Sequence, residues 1–170
     1  MALRNILTEG NPSLYKVCRP YGEFNQRLAV LLDDMAETMK KANGVGLAAP
    51  QVGIARRCCV VLETNVEDEG EEYVIELVNP EIIAFDGEQE GYEGCLSFPG
   101  QYGCVKRPEH VVVRAFDRHG NQFEVEGFGL TARAFCHEID HLDGHVFVEK
   151  CDEILTEEEL MALHEEEDGE

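Results

Sequence analysis

Long apolar runs, a secretory signal and paired cysteines are all absent from this 170-residue sequence. No apolar stretch approaches the roughly 20 residues that a transmembrane helix needs, and the N-terminal residues lack the apolar segment of a secretory signal. The seven cysteines are scattered, odd in number and without a Cys-x-x-Cys pair, which argues against a disulfide framework and favours a reducing compartment. We therefore expect a cytoplasmic protein that does not associate with membranes.

Basic residues are also scarce. The chain has 14 Lys and Arg against 35 Asp and Glu, which gives a formal net charge of −21 at pH 7. A field of this sign repels phosphate backbones and anionic membranes at long range, so direct nucleic-acid binding is not expected. Acidic residues are densest between Glu157 and Glu170, and we expect this segment to give no basic surface for ribosomal RNA.

One domain is expected over residues 1–170, because a chain of this length can bury a sizeable core without disulfides. Neither a repeat nor a linker interrupts it. Residues 156–170 are predicted to form an acidic C-terminal helix or tail, which begins with a capping box between Thr156 and Glu159.

Two longer helices are predicted from periodicity. Apolar side chains recur at helical spacing over residues 24–42, and Asn43-Gly44 supplies a stop. A second helix is predicted over residues 130–143, with Gly144 just past its end.

Apolar, β-branched runs between these helices predict strands, and the acidic segment Thr64–Glu72 is expected to be a mobile loop. A run of strands between helices indicates an α+β protein rather than alternating βαβ units. The predicted strands are Cys58–Glu63, Tyr73–Val78, Glu81–Phe85, His110–Phe116 and Gln122–Glu126.

The stretch GVGLAAPQ, residues 44–51, begins with the G-x-G-x-x-A spacing of a dinucleotide-binding loop. That loop requires a strand before it and a helix after it. Here a helix precedes the stretch, and Pro50 would lie inside any helix that followed. The stretch is therefore interpreted as a loop whose glycines let the backbone approach a neighbouring group closely.

The sharpest chemical signal is HEIDH, residues 137–141, which contains H-E-x-x-H. On an α-helix His137 and His141 share one face and can bind one metal ion, with Glu138 beside them to take a proton from a metal-bound water. The alternative is a surface helix that carries two incidental histidines.

A third ligand is needed, because a catalytic site of this type takes three protein ligands and a water. Cys95, in a glycine-flanked loop, would complete a Cys-His-His site. Glu157, Glu158 or Glu159 would instead complete a His-His-Glu site of the kind found in metallopeptidases. Local spacing leaves both open, as well as a non-catalytic fold.

Three stretches, GVGLAAPQ, EGCLS and HEIDH, resemble in order and separation the signature motifs of peptide deformylase. The similarity covers roughly residues 3–150. It implies an α+β fold with antiparallel β-sheets packed around a central metal-binding HExxH helix. It also implies a hydrolase that removes the formyl group from N-formylmethionyl nascent peptides and releases formate. An HExxH-type metallopeptidase is the alternative function.

The resemblance further implies roles for individual residues. Cys95, His137 and His141 would bind one divalent metal, Fe(II) natively, with zinc, nickel or cobalt as substitutes. Glu138 would be the general base for the metal-bound water, and then the acid for the leaving amine. The Gln51 side-chain amide and the Leu96 backbone N–H would stabilise the oxyanion.

Substrate contacts are expected from Gly46, through its backbone, and from Val45, as a wall of the methionine pocket. Arg133 lies one helical turn before His137 and is expected to contact the peptide at the cleft mouth, with simple solvent exposure as the alternative. Glu93 and Arg107 are expected either to pair behind the site or to form a plain surface pair. We expect a monomer.

Overall fold

Three α-helices and eight β-strands make up the computed structural model over the residues that it describes, 2–64 and 70–168. Short 3-10 turns at Pro12–Tyr15, Ala49–Val52 and Phe147–Lys150 connect some of them. In chain order the elements are α1 (Gln26–Lys41), β1 (Gly46–Ala48), β2 (Cys58–Glu63), β3 (Tyr73–Asp86), β4 (Gln89–Cys95), β5 (Phe98–Arg107), β6 (His110–Phe116), β7 (Gln122–Phe128), α2 (Leu130–Leu142), β8 (Ile154–Leu155) and α3 (Glu157–Asp168).

The strands form two antiparallel sheets. The larger sheet has the order β1-β2-β3-β6-β7, and the smaller has the order β4-β5-β8. Helix α2 contacts strands of both sheets. The predicted α+β class, with antiparallel sheets around a central helix, is confirmed.

Helix α2 lies against one face of the larger sheet because its apolar side chains share one side. Phe135, Ile139 and Leu142 are buried there together with residues of β2, β3 and β6. Burying an aliphatic or aromatic side chain of this size contributes about 1.5–3 kcal/mol. This packing fixes the orientation of α2, and so the direction in which its polar face points.

Helix α1 covers the opposite face of the same sheet. Its stripe of Leu28, Leu32 and Met35 packs against the side chains of β2 that point away from α2. Successive side chains of β2 therefore point alternately into the core under α2 and the core under α1. Because both faces of the strand are buried, its sequence, CCVV, is apolar at consecutive positions rather than at every second one. Helix α1 begins at Gln26, two residues later than residue 24, with Asn25 as its N-cap.

The predicted strands Tyr73–Val78 and Glu81–Phe85 are one bulged strand, β3. Asn79, at the bulge, has a φ of 51°, and its side chain exchanges two hydrogen bonds with the backbone of Tyr21, at 2.7 and 2.9 Å. Within the predicted acidic loop between β2 and β3, residues 65–69 lie outside the described part of the chain.

Strands β1, β4, β5 and β8 were not predicted. The interpretation of residues 44–51 as a loop is wrong, because Gly46–Ala48 pairs with β2 as an edge strand and Ala49–Val52 forms a 3-10 turn. Pro50 lies in the first turn of that helix, where its missing N–H leaves no bond unmade.

The C-terminal helix α3 begins as predicted. Thr156 Oγ1 accepts from the Glu159 N–H at 3.2 Å, and the Glu159 carboxylate accepts from the Thr156 N–H at 3.4 Å. Most described residues of α3 are exposed. None of the helices, over the described residues, has the length and apolar character needed to cross a bilayer.

Gly144, just past α2, provides a test of how this helix ends. Its φ is +82°, and an added Cβ would lie 2.7 Å from the Tyr15 carbonyl oxygen. Gly144→Ala should lower the free energy of unfolding by roughly 2–4 kcal/mol, since a left-handed backbone and overpacking are both unfavourable for alanine.

Gly10→Ala is the matched control in denaturant titrations. Gly10 has a similar φ of +92°, but nothing lies within 4 Å of its added Cβ. Gly10→Ala should lower the free energy of unfolding by only about 1 kcal/mol. Equal losses in the two variants would contradict the contact with Tyr15.

Candidate metal centre

Cys95, His137 and His141 lie together where α2 meets the end of β4. Their ligand atoms are all within 4.8 Å of one another. Cys95 Sγ is 3.4 Å from His141 Nε2, and the Nε2 atoms of His137 and His141 are 3.2 Å apart. Metal bonds of about 2.3 Å to sulfur and about 2.0–2.1 Å to nitrogen place tetrahedral neighbours about 3.4–3.6 Å apart. The three side chains therefore fit one divalent ion.

The two histidines come from one helix face, and the cysteine comes from a strand. His137 and His141 are four residues apart on α2, as the sequence predicts. Cys95 was expected in a loop, but it is the last residue of β4, paired with Phe98 across a tight turn. An added Cβ at Gly94 would lie 2.8 Å from the Tyr102 ring, so the glycine lets this turn pack closely.

Glu93, two residues before Cys95, anchors the site from behind. Its carboxylate accepts two hydrogen bonds from Arg107, at 2.8 and 2.9 Å, and one from Arg133 at 2.7 Å. His137 Nδ1 lies 2.8 Å from Glu93 Oε1. Because Nδ1 is engaged in this way, Nε2 of the same ring is directed at the metal position. The pairing of Glu93 with Arg107 behind the site is confirmed, and it is buried rather than a surface pair.

The charges around the site favour a bound cation. Burial would raise the pKa of Glu93, but hydrogen bonds from Arg107 and His137 hold it at about 2. Burial opposes a charge on His137, yet Glu138, Cys95 and Glu93 raise its pKa well above the usual value. Burial, followed by the nearby His137, lowers the pKa of His141 well below its usual value. Glu138, Cys95 and Glu93 therefore favour positive charge at His137, and a divalent ion held by the three side chains would supply such a charge.

Arg133 is buried, so the alternative of simple solvent exposure is wrong. It lines the cleft, but it is buried, and its guanidinium bonds to Glu93 and to the carbonyl oxygens of Gly91 and Val105, at 3.3 and 3.1 Å. The guanidinium turns inward because the buried Glu93 carboxylate is a stronger partner than water. A peptide contact by Arg133 stays a prediction.

Glu138 lies beside the ligands and against the backbone of β1. It is 4% exposed, and its Oε1 has no hydrogen-bond partner among the described residues. Burial raises its pKa to about 7. An added Cβ at Gly46 would lie 2.9 Å from Glu138 Cδ and closer still to Oε2. Gly46 thus leaves the carboxylate the space that any other residue would fill, and this explains the glycine in the first motif.

A cleft of about 480 Å³ opens onto this centre. Gln51 lines it and is almost fully buried; its Oε1 accepts from the Ala48 N–H at 2.9 Å. Its Nε2 donates to Ser97 Oγ at 3.1 Å and lies 3.5 Å from Cys95 Sγ. The amide is thereby held with its N–H group beside the ligands. The cleft lining also includes Gly44, Val45, Gly46, Tyr92, Leu96, Tyr102, Leu130 and Arg133.

Among the described residues, Cys95, His137 and His141 form the one His, Cys, Asp and Glu cluster with metal-binding geometry. Glu157, Glu158 and Glu159 are exposed on α3 and take no part in it, so the His-His-Glu alternative is wrong.

Sequence reasoning missed three residues of the site: Ser97, which accepts the Gln51 hydrogen bond, and the cleft residues Tyr92 and Tyr102. Ser97 could have been found from its place in EGCLS, directly after the motif cysteine and leucine. Nothing in the sequence distinguishes the two tyrosines from the other aromatic residues.

Residues 3–157 match the family model described as polypeptide deformylase. The peptide deformylase of Lachnoclostridium phytofermentans is 56% identical over 150 residues, which cover 88% of this chain and 90% of that protein.

Solved structures of peptide deformylases are also similar to this chain. A peptide deformylase from Legionella pneumophila is 43% identical with a TM-score of 0.79, covering 95% of this chain and 91% of that one. The Met-Ala-Ser-bound peptide deformylase of Acinetobacter baumannii is 37% identical with a TM-score of 0.80, and the match covers 87% of this chain and 98% of that one.

Cys95→Ala tests the third ligand. Metal affinity, measured by chelator competition, should fall by more than about 100-fold, since even partners outside the ligand shell contribute 10–100-fold. Cys104→Ala, at an exposed free cysteine on β5, is the matched control and should bind metal as the parent does. Full metal affinity in Cys95→Ala would refute the ligand assignment.

Glu93→Gln tests the anchor. It should weaken metal binding roughly 10–100-fold and lower the free energy of unfolding by about 3 kcal/mol, because the buried Arg133 loses its counter-charge and Arg107 keeps only that of Asp140. The control is Glu90→Gln on the same strand, whose 3.6 Å ion pair with Lys106 is exposed. If both variants behaved alike in chelator competition and in urea titration, the anchoring role would be wrong.

Proposed function

The chain belongs to the polypeptide deformylase family, and we propose that Cys95, His137, His141 and Glu138 carry out that family's reaction in this protein. The family is metal-dependent and removes the formyl group from the N-terminal formylmethionine of nascent peptides, releasing formate. The observation that carries the residue assignment is the Cys95–His137–His141 cluster with Glu138 beside it at the end of a cleft.

The ligand set suits a divalent metal of the first transition series. A thiolate and two imidazoles are ligands that iron, zinc, nickel and cobalt all accept. When bound, such an ion supplies a Lewis acid that polarises a carbonyl oxygen and lowers the pKa of water. Fe(II) is proposed as the native ion.

Glu138 is proposed to move the proton. Its Oε1 has no partner among the described residues, and it lies next to the ligand His137 on the helix. A carboxylate in this position can take a proton from the attacking water and deliver it to the amine nitrogen that leaves. Gly46 leaves room for this carboxylate, because an added Cβ there would overlap it.

Gln51 and Leu96 are proposed to stabilise the charge that develops on the formyl oxygen. The Gln51 amide is held by Ala48 and Ser97, so its N–H group needs no reorientation during the reaction. A fixed donor of this kind contributes about 2.7–4 kcal/mol to transition-state stabilisation. Leu96 follows the ligand Cys95 and lines the same cleft, where its backbone N–H would be the second donor.

The peptide is proposed to lie in the cleft with its methionine side chain against Val45. The apolar lining, which includes Leu130, suits a thioether side chain. Gly46 would offer backbone hydrogen bonds on the edge strand β1, and Arg133 would contribute from the opposite wall. The Acinetobacter baumannii relative is described as bound to Met-Ala-Ser, a peptide that begins with methionine.

Location and assembly are further parts of the proposal. The seven cysteines are all free, which suits the reducing cytoplasm and a thiolate ligand. The cleft is built from one chain, so a monomer would be sufficient. The formal net charge of −21 argues against a direct nucleic-acid partner. Residues 1–170 are proposed to act as one catalytic domain, with residues 156–170 as its acidic C-terminal part.

Formate release from an N-formylmethionyl peptide, using protein prepared without oxygen and loaded with Fe(II), is the direct test. We expect formate and no cleaved peptide bond. A peptide with a free N-terminus should remain intact, and its cleavage would instead support a metallopeptidase. Metal-loaded protein that releases no formate would refute the assignment.

Glu138→Gln separates proton transfer from metal binding. Turnover should fall by about 10²–10⁴-fold, as is typical for loss of a general base, while metal affinity stays close to that of the parent. Glu126→Gln, at an exposed glutamate on β7, should keep full turnover. Retained turnover in Glu138→Gln would overturn the proposed role.

A further inference from the structure

A second cavity, of about 560 Å³, lies at the N-terminal end of α1 and shares no lining residue with the metal cleft. Leu28, Leu31 and Ile54 provide its apolar part. Three arginines, Arg4, Arg27 and Arg56, also line it, together with Tyr21, Gly22, Glu23 and Asn25. Its size falls within the roughly 300–1,000 Å³ of small-molecule sites.

The concentration of positive charge is unusual for this protein. The whole chain has 14 Lys and Arg and a formal net charge of −21. Arg4, Arg27 and Arg56 nevertheless converge on one cavity, where Glu23 is the acidic residue in the lining. Like charges held close together repel one another, so the arginines of this cavity would stabilise an anion bound among them.

Two of the three arginines retain unused donors. Arg4 is neutralised by Asp34, at 3.0 Å. The side chain of Arg27 makes no ion pair or hydrogen bond within the described residues, and it is exposed. Arg56 stacks on the Tyr21 ring at 4.2 Å.

The donors of Arg56 are poorly satisfied. Its Nη2 reaches the Pro20 carbonyl oxygen only at 3.4 Å, and its Nε is buried without a partner among the described residues. The Arg56 guanidinium therefore has donors that the described residues leave poorly satisfied, and such donors favour a ligand that can accept hydrogen bonds from them.

We propose that this cavity binds a small organic anion in which a carboxylate or phosphate group is joined to an apolar or aromatic body. The oxyanion accepts hydrogen bonds from Arg27 and Arg56, whose planar guanidiniums match carboxylate and phosphate oxygens. The body lies against Leu28, Leu31 and Ile54. The site is separate from the deformylase reaction, and its ligand is not the formyl peptide.

The test uses zinc-loaded protein, which is diamagnetic, and two-dimensional ¹H–¹⁵N NMR. Benzoate and phenyl phosphate are the probes, and benzyl alcohol is the neutral control. We expect saturable shifts at the backbone amides of residues 21–31 and 54–56 with at least one anion, and none with benzyl alcohol. The anion that binds more tightly identifies the head group. Absence of saturable shifts there at millimolar concentrations overturns the proposal.

Arg27→Gln provides the decisive variant, because its side chain is exposed and its loss leaves the core intact. It should weaken binding of the anion by about tenfold. Arg114→Gln, at an exposed arginine on β6 paired with Glu81, should leave the affinity unchanged. Shifts that are confined to Gly46 and Leu96 and persist in Arg27→Gln would mean that the anions bind only at the metal, and would overturn the proposal.

Discussion

One buried carboxylate, that of Glu93, holds the site and much of the fold around it together. It neutralises Arg107 of β5 and Arg133 of α2, and it accepts from the ring of His137. Without it, the Arg133 guanidinium would be buried without a counter-charge and Arg107 would keep only that of Asp140, at a cost of several kcal/mol. Because Cys95 follows two residues later on the same strand, this interaction also sets the distance between the thiolate and the helix that carries both histidines.

The position of α2 between the sheets imposes a second constraint, which is steric. His141 is fully buried, and Phe135 packs so closely on β7 that an added Cβ at Gly127 would lie 2.7 Å from its ring. On β1, Gly46 likewise leaves space for a side chain of α2, the carboxylate of Glu138. Glycine at these two strand positions lets the sheet approach a helix whose polar residues must face inward. The result is a candidate metal centre whose two histidines are buried beside the cleft.

Much of the fold could be predicted, because its signals are local. The helices α1 and α2 follow from apolar side chains at helical spacing, and β2 and β6 follow from β-branched runs. Strands β4 and β5 contain no such run. Glycine and glutamate dominate QEGYEGC, the sequence of β4, and the two strands are defined by pairing with each other. The division of β3 into two predicted strands has a similar cause: Asn79 and Pro80 indicate a turn, but sheet pairing overrides it.

For the site, the sequence by itself determined that His137 and His141 share a helix face with Glu138 beside them, because helical spacing is fixed by the backbone. The three motifs also indicated Cys95 through resemblance. Only the tertiary structure decided between Cys95 and the glutamates of α3, and only it turned Arg133 inward to Glu93. The physical reason is that ligand distances and buried ion pairs join residues about 40 apart in the chain, and their proximity depends on how sheets and helix pack.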